Sequence, residues 1–166
     1  ASRRSVFRCS MTEHALLKKI RAAMLQKGKQ PFPFQEEVWQ CMTAQKSGLL
    51  NAPTGSGKTL ALWYGALLAL QHSDAKKSEK NTRILWITPL RSLAKDTQKA
   101  LQESLKDLGL EWTVGLRNGD TTASERSRLQ RQRPEALIIT PESIHLLLAG
   151  KDGASWFSTV EVIVVD

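Results

Sequence analysis

The chain has 166 residues, of which 41% are hydrophobic, so it can bury one substantial core but is short for two ordinary domains. Its mean hydropathy is −0.31, and its longest apolar stretch, residues 60–70, is shorter than the roughly 18 residues that a membrane span needs. Neither a secretory signal nor a cysteine framework typical of secreted domains is recognisable. We therefore expect one domain without a membrane span and with a cytoplasmic location.

The net charge of +8 is concentrated at the start of the chain. Residues 1–30 contain eight basic residues and one acid, a net +7, so residues 31–166 carry only +1. The basic residues are Arg3, Arg4, Arg8, Lys18, Lys19, Arg21, Lys27 and Lys29, and the acid is Glu13. A basic segment of this kind is typical either of nucleic-acid contact or of a solvated helix face, and charge alone leaves both open.

Two helices are predicted before the first strand. Leu16, Leu17, Ile20, Ala23 and Met24 recur at helical spacing, with Thr12 as a possible cap and Gly28 as the stop. The second helix covers residues 35–46, with Val38, Trp39 and Met42 on its apolar face and Gly48 closing it.

Short apolar runs then alternate with longer helical patterns, as in strands joined by crossover helices. The candidate strands are residues 49–51, 83–88, 112–116, 136–140 and 160–165. Their nearly continuous apolar character suits parallel strands that are buried on both faces. The sequence therefore predicts an α/β fold, a mainly parallel sheet flanked by helices on both faces.

Four helices are predicted between these strands. Residues 59–70 are apolar almost all round and should pack deep in the domain. Residues 92–108 place Leu93, Leu101, Leu105 and Leu108 on one stripe, with Gly109 as the stop. Thr122 and Glu125 have capping-box spacing at the head of a polar surface helix. Pro141 begins a helix in which Ile144, Leu147 and Leu148 face inward.

Residues 52–59, A-P-T-G-S-G-K-T, have the composition of a phosphate-binding loop between a strand and a helix. Glycines let the backbone turn its N–H groups toward an anion, and the helix start adds a positive dipole end. We expect Pro53, Thr54, Gly55, Ser56, Gly57, Lys58 and Thr59 to bind the triphosphate of ATP. Lys58 would reach the β- and γ-phosphates as a catalytic residue, and the Thr59 hydroxyl would coordinate Mg²⁺.

The first residue of this motif leaves an alternative open. The general pattern begins with glycine, where this chain has Ala52, so a glycine-rich turn with an incidental lysine is the other interpretation.

Asp166 follows the apolar run 160–165 and is the expected second Mg²⁺ ligand and catalytic carboxylate. By itself, an aspartate at the end of a strand is more often a cap or turn residue.

Several motifs together resemble those of superfamily-two DExH-box helicases, in which alanine commonly opens the P-loop. The segments are F-P-F-Q at 32–35, T-P-L-R-S-L-A at 88–94, N-G-D-T at 118–121, T-P-E-S at 140–143 and the strand ending in Asp166. They occur in family order across residues 32–166. Residues 29–39 and 48–54 look most like the large helicase-related, ligase-associated branch, which implies a bacterial DNA-translocating helicase in DNA repair.

This resemblance implies a RecA-like P-loop NTPase domain in residues 31–166, after a basic leader and amphipathic helix in residues 1–30. Gln35 would read the adenine edge, although a glutamine near a helix start can instead cap the backbone. Pro89, Leu90, Arg91, Gly119, Asp120, Thr140 and Pro141 would line the nucleic-acid track. Single-stranded or partly duplex DNA is the expected partner, and Arg91 could add a direct charge contact.

The resemblance also implies a water-activating glutamate after Asp166 and a second RecA-like domain with an arginine finger, neither of which is in these residues. We therefore expect this chain to bind nucleotide without efficient hydrolysis. Two other functions stay open: another P-loop phosphotransferase, such as a small-molecule kinase, and a non-catalytic nucleic-acid-binding module that uses the basic leader.

Overall fold

A computed structural model describes residues 15–72, 81–150 and 153–166. In this part the helices are α1 (Ala15–Gln26), α2 (Pro33–Thr43), α3 (Lys58–Ala69), α4 (Arg91–Asp107), α5 (Ala123–Arg131), α6 (Pro141–Leu148) and α7 (Gly153–Phe157). The strands are β1 (Ile84–Ile87), β2 (Val114–Arg117), β3 (Ala136–Ile139) and β4 (Val162–Val165). Residues 1–14 of the predicted basic leader, including Thr12, lie outside the described residues, and so does most of the loop between α3 and β1.

The four strands form one parallel sheet in the order β2-β3-β1-β4. The register aligns Arg117, Ile139, Ile87 and Val165 as the last paired row. Because all strands are parallel, the residues that follow this row meet at one edge of the sheet. That carboxyl edge is the place where open α/β sheets usually bind ligands.

The central strands β1 and β3 are buried on both faces by alternate side chains. The edge strand β4 exposes Ile163 (61%) and Val165 (74%), so the expectation that its apolar run is buried on both faces is wrong. Ile84, Trp86, Ile138 and Val164 belong to a core on one face, together with apolar residues of α1, α2, α3 and α4. Leu85, Leu137 and Ile139 face the other way, where they pack with Leu129 of α5, Leu147 of α6 and Trp156 of α7. This arrangement confirms the predicted α/β fold with helices on both faces.

Helix α3 lies deep in the first core, as its apolar composition predicts. From Ala61 to Ala69 only Leu62 is not fully buried. Two buried tryptophan N–H groups link this helix to its neighbours: Trp39 donates to the Ala61 carbonyl at 3.1 Å, and Trp63 of α3 donates to Ser104 Oγ at 2.7 Å. These contacts join α2 and α4 to the helix that carries Lys58. The N–H of buried Trp86 has no partner among the described residues.

The predicted first strand is wrong. Residues 49–51 form no strand in the described part of the chain, and Leu49 is 96% exposed. A strand needs a neighbour that accepts and donates its main-chain hydrogen bonds. β4 pairs with β1 on one side, and no described strand lies on its other side to pair with this segment.

Several smaller expectations are also corrected. Helix α2 ends at Thr43, and the left-handed residue after it is Gln45 (φ +56°), not Gly48. Leu93 and Leu148 are 50% and 56% exposed, because Leu93 lies in the first turn of α4 and Leu148 is the last residue of α6. Helix α7 was not predicted, since its five residues are too few for a periodic pattern.

No described helix is long and apolar enough to cross a membrane.

Candidate nucleotide and nucleic-acid site

The phosphate-binding loop has the backbone that its glycines predict. Gly55 and Gly57 adopt φ angles of +78° and +86°, a region that residues with a Cβ atom rarely enter. Helix α3 begins immediately afterwards at Lys58, with no acidic residue in its first turn. The first N–H groups of a helix have no carbonyl partner within it, so this turn presents donors and a positive dipole end.

The side chains of the loop supply further donors. Lys58 Nζ lies across the loop and donates to the Ala52 carbonyl at 2.6 Å. Ser56 Oγ is buried, yet it has no hydrogen-bond partner among the described residues. A buried hydroxyl without a partner is uncommon and is satisfied when a ligand brings an acceptor. These donors fit the oxygens of a phosphate chain.

Gln35 connects the start of α2 to this loop. Its side chain is 3% exposed; Oε1 accepts from the Phe32 N–H at 3.0 Å, and Nε2 donates to the Gly57 carbonyl at 3.2 Å. The backbone-capping contact that sequence reasoning left open is therefore present. An amide has a second lone pair and a second N–H, so one acceptor and one donor position remain for an adenine edge.

The carboxyl edge of the sheet gathers the other predicted motifs. Asn118, Thr140, Thr88 and Asp166 directly follow the last paired row of β2, β3, β1 and β4, in that order across the sheet. The Asp166 N–H donates to the Ile87 carbonyl at 2.9 Å, while its side chain is exposed. The sequence motifs at residues 88–94, 118–121 and 140–143 are thus neighbours in space.

Most of the predicted nucleic-acid residues face solvent. Pro89, Leu90, Arg91, Gly119, Asp120 and Pro141 are exposed. Thr140 differs, since its side chain is fully buried and its hydroxyl donates to Ser143 Oγ at 3.0 Å. In this conformation Thr140 shapes the start of α6 and does not present its hydroxyl at the surface.

Arg91 contacts two acidic residues, Asp120 in the loop after β2 and Glu142 in the first turn of α6. Its Nη2 lies 3.1 Å from Glu142 Oε1, and its Nη1 lies 3.4 Å from Asp120 Oδ1. The pKa of Glu142 is lowered by a hydrogen bond from its own main-chain N–H, and further by Thr140 and Arg91. Sequence reasoning quoted Glu142 within a motif but assigned it no role; its position directly after Pro141, at the start of α6, was the available signal.

Two arginines, Arg126 of α5 and Arg133 shortly after it, contact other groups of the domain. Arg126 Nε donates to the Thr121 carbonyl at 3.1 Å. The Arg133 guanidinium donates to Ser155 and lies 5.3 Å from the centre of the Trp156 ring. These contacts give Arg126 and Arg133 a structural role within the domain.

Metal coordination by protein groups alone is not evident in residues 15–72, 81–150 and 153–166, where no three His, Cys, Asp or Glu side chains converge. Mg²⁺ at nucleotide sites usually takes one or two protein oxygens and completes its shell with phosphates and waters. Thr59 and Asp166 are donors of the type that such a site uses.

Comparison with known proteins agrees with this arrangement. A family model described as DEAD/DEAH box helicase matches residues 32–166, so the chain belongs to that family. Within it, the chain is 37% identical over 153 residues to the Lhr helicase/uracil glycosylase of Escherichia coli (strain K12), covering 83% of this chain and 10% of that protein. It is 35% identical over 128 residues to the ATP-dependent helicase Lhr-Core of Methanothermobacter thermautotrophicus, covering 71% and 15%. The predicted resemblance to helicases of the large helicase-related type is thereby confirmed.

Solved structures show the same relationship. Mycobacterium smegmatis helicase Lhr, bound to ssDNA and AMP-PNP, superposes with a TM-score of 0.78 at 32% identity, covering 92% of this chain and 20% of that one. DUF1998 helicase MrfA, bound to DNA and AMPPNP, gives a TM-score of 0.75 at 26% identity, covering 90% and 20%. The chain thus spans between a tenth and a fifth of the length of these relatives.

Proposed function

We propose that this chain is the ATP-binding, first RecA-like domain of an ATP-dependent DNA helicase or translocase of the Lhr type. The observation that carries the proposal is the loop at residues 55–58. It combines two left-handed glycines, a helix start and a buried hydroxyl without a partner. This set of donors suits a triphosphate, and it belongs to the domain that also holds the helicase motifs at the sheet edge.

Each site residue has a role in this proposal. Residues 53–59 bind the phosphates, Lys58 exchanges its contact with Ala52 for the β- and γ-phosphates, and Gln35 selects adenine through its remaining donor and acceptor. Thr59 and Asp166 would hold Mg²⁺, which would neutralise charge on the phosphates. The exposed position of Asp166 at the carboxyl edge supports this assignment without establishing a contact to Thr59.

Nucleic acid would bind along the carboxyl edge. The exposed residues there lie at the starts of α4 and α6, where main-chain N–H groups can contact backbone phosphates without reading bases. The DNA in the Lhr and MrfA structures favours DNA over RNA as the partner. A role in DNA repair and a cytoplasmic location are part of this proposal.

We further propose that the 166 residues bind ATP but turn it over slowly. Hydrolysis requires an oriented water and compensation of the charge that develops on the γ-phosphate. The resemblance of the motifs to those of DExH-box helicases implies that residues after Asp166 supply both. Efficient ATP turnover by the purified chain, lost in Lys58→Ala, would contradict this part of the proposal.

The direct test measures ATP affinity by calorimetry with and without single-stranded DNA. We expect wild-type chain to bind both, Lys58→Ala to lose ATP, and Lys19→Ala, which removes an exposed lysine of α1, to bind ATP like wild type. A chain that binds ATP but ignores DNA would favour the phosphotransferase alternative. One that binds DNA but ignores ATP would favour the non-catalytic module.

A further inference from the structure

A single guanidinium joins the loops that follow three strands of the sheet. Arg91 follows β1, Asp120 follows β2 and Glu142 follows β3. Arg91 Nη1 lies 3.4 Å from Asp120 Oδ1, while Nη2 and Nε lie 3.1 Å and 3.3 Å from Glu142 Oε1. We call these three side chains the Arg91 clamp.

The guanidinium of the clamp also packs closely against a glycine. A Cβ atom built on Gly119 would lie 2.6–2.9 Å from the guanidinium atoms of Arg91, closer than real Cβ contacts come. The guanidinium therefore lies directly against the main chain of the β2–α5 turn. Two hydrogen bonds to Asn118 Oδ1 close this turn: the Asp120 main-chain N–H donates at 3.0 Å, and the Thr121 hydroxyl donates at 3.2 Å.

The charges around Arg91 disfavour a direct phosphate contact. Two carboxylates already accept from its guanidinium, one from Asp120 and one from Glu142. A phosphate that approached Arg91 would meet both negative charges and would have to displace them. The planar guanidinium can donate to two acceptors at once, and here both acceptors, Asp120 and Glu142, belong to the protein itself.

We propose that Arg91 is a positioning residue, which holds the starts of α4 and α6 and the turn at Asn118–Asp120 in the arrangement that binds nucleic acid, and does not itself bind phosphate. This inference rests on the proposed function, because it concerns the same carboxyl edge. It replaces the direct charge contact that the sequence suggested for Arg91.

The test measures the affinity of the full chain for single-stranded oligothymidylate as a function of salt. We expect Arg91→Gln to weaken binding roughly tenfold, with the slope of log affinity against log salt unchanged. Arg91→Lys should be as weak, since an ammonium cannot reproduce the fork. The Asp120→Asn, Glu142→Gln double variant should also bind more weakly, because it releases the same loops.

Lys106→Gln is the matched control. It removes one positive charge from the same helix, about 22 Å from Arg91 along the helix axis, so we expect wild-type affinity and slope. Hydrogen exchange provides a readout without nucleic acid: Arg91→Gln should speed exchange of the Asp120, Thr121 and Ser143 amides, and Lys106→Gln should not.

Other outcomes would overturn the inference. If Arg91 binds phosphate directly, Arg91→Gln should reduce the salt slope by about 0.7, Arg91→Lys should restore much of the affinity, and the double variant should bind more tightly. Unchanged hydrogen exchange in Arg91→Gln would also reject the clamp. Failure of the wild-type chain to bind oligothymidylate would instead overturn the proposed function, and this inference with it.

Discussion

Gly57 shows how a single residue sets the shape of the phosphate-binding loop. Its φ of +86° places it in the left-handed region immediately before α3, and a Cβ atom there would lie 2.9 Å from Gln35 Nε2. Gln35 in turn donates to the Gly57 carbonyl. Because Gly57 has no Cβ atom, the loop can adopt this left-handed turn and Gln35 of α2 can approach the loop closely.

We expect Gly57→Ala to lower the free energy of unfolding by about 1–3 kcal/mol, because the substituted residue must adopt a strained φ and displace Gln35. Gly48→Ala is the control, since Gly48 has neither a positive φ nor an atom within 4 Å of a built Cβ. Urea denaturation compares the two variants. Equal stability would show that neither the φ angle nor the contact with Gln35 restrains the loop.

Helix α5 depends on its first turn, because only Leu129 of its nine residues is buried. Thr122 Oγ1 accepts from the Glu125 N–H at 3.3 Å, and Glu125 Oε2 accepts from the Thr122 N–H at 2.8 Å. This capping box confirms the prediction from sequence. The hydrogen bond from the Thr122 N–H is the main cause of the lowered pKa of Glu125.

Removal of the cap should have a cost that depends on pH. Thr122→Ala is expected to lose about 1 kcal/mol of stability, whereas Ser127→Ala on the same helix should lose little.

A carboxyl with a lowered folded-state pKa stabilises above its unfolded pKa, and this contribution disappears as the pH falls through the folded value. Thermal unfolding should therefore separate wild type from Glu125→Gln at pH 7, and the difference should shrink as the pH falls below the unfolded-state pKa of glutamate, about 4.3. A constant difference across that range would contradict the assignment.

Strand β2 lies at the edge of the sheet, and helix α4 covers its main chain. Val114 N–H donates to Gln102 Oε1 at 3.0 Å, and the Val114 carbonyl accepts from Gln98 Nε2 at 2.7 Å. Gln102 Nε2 also donates to the Trp112 carbonyl at 3.1 Å. Edge strands with free main-chain groups are templates for pairing with another chain, and these two glutamines occupy the main-chain groups of Val114 and the Trp112 carbonyl.

The double variant Gln98→Ala, Gln102→Ala should expose this edge. We expect a loss of about 1–2 kcal/mol of stability and a growth of dimers or larger species with concentration, measured by light scattering. The control Lys99→Ala, Glu103→Ala changes two exposed residues of the same helix and leaves the net charge unchanged. If both variants stay monomeric at the same concentrations, the glutamines do not protect the edge.

At the scale of the whole molecule, the domain begins before the matched family region. The family match starts at residue 32, yet Leu16, Leu17, Ile20, Ala23 and Met24 of α1 are buried in the first core. Ion pairs from the same helix and the residue after it, Arg21 with Glu36 at 2.8 Å and Lys27 with Asp107, join it to α2 and α4. Part of the basic leader is therefore structural.

Ile20→Ala should consequently destabilise the whole domain. Ile20 is completely buried, so we expect the free energy of unfolding to fall by about 2–5 kcal/mol. Denaturant unfolding measures this loss, and α3 and the sheet should unfold in the same transition. Leu25→Ala on the exposed side of the same helix should change stability by less than about 0.5 kcal/mol. A small effect of Ile20→Ala would mean that α1 is only loosely attached.

The amino-acid sequence by itself determined the features that depend on local chemistry. The glycines and Lys58 of the loop, the Thr122 capping box, the apolar strands and the buried α3 were all predicted, because spacing and residue type act over a few positions. The order of the helicase motifs added the family and the expected ligands. Which residues truly contact ATP, Mg²⁺ and DNA stays a prediction.

Tertiary structure decided what depends on partners that are distant in the sequence. Residues 49–51 are apolar enough for a strand but have no described neighbour to pair with, and Leu93 and Leu148 have helical spacing but no core opposite them. The sheet order likewise brings Arg91, Asp120 and Glu142 together across 51 positions of sequence. Hydrogen bonding and burial are satisfied between elements, and periodicity within one element carries no information about which other element supplies the partner.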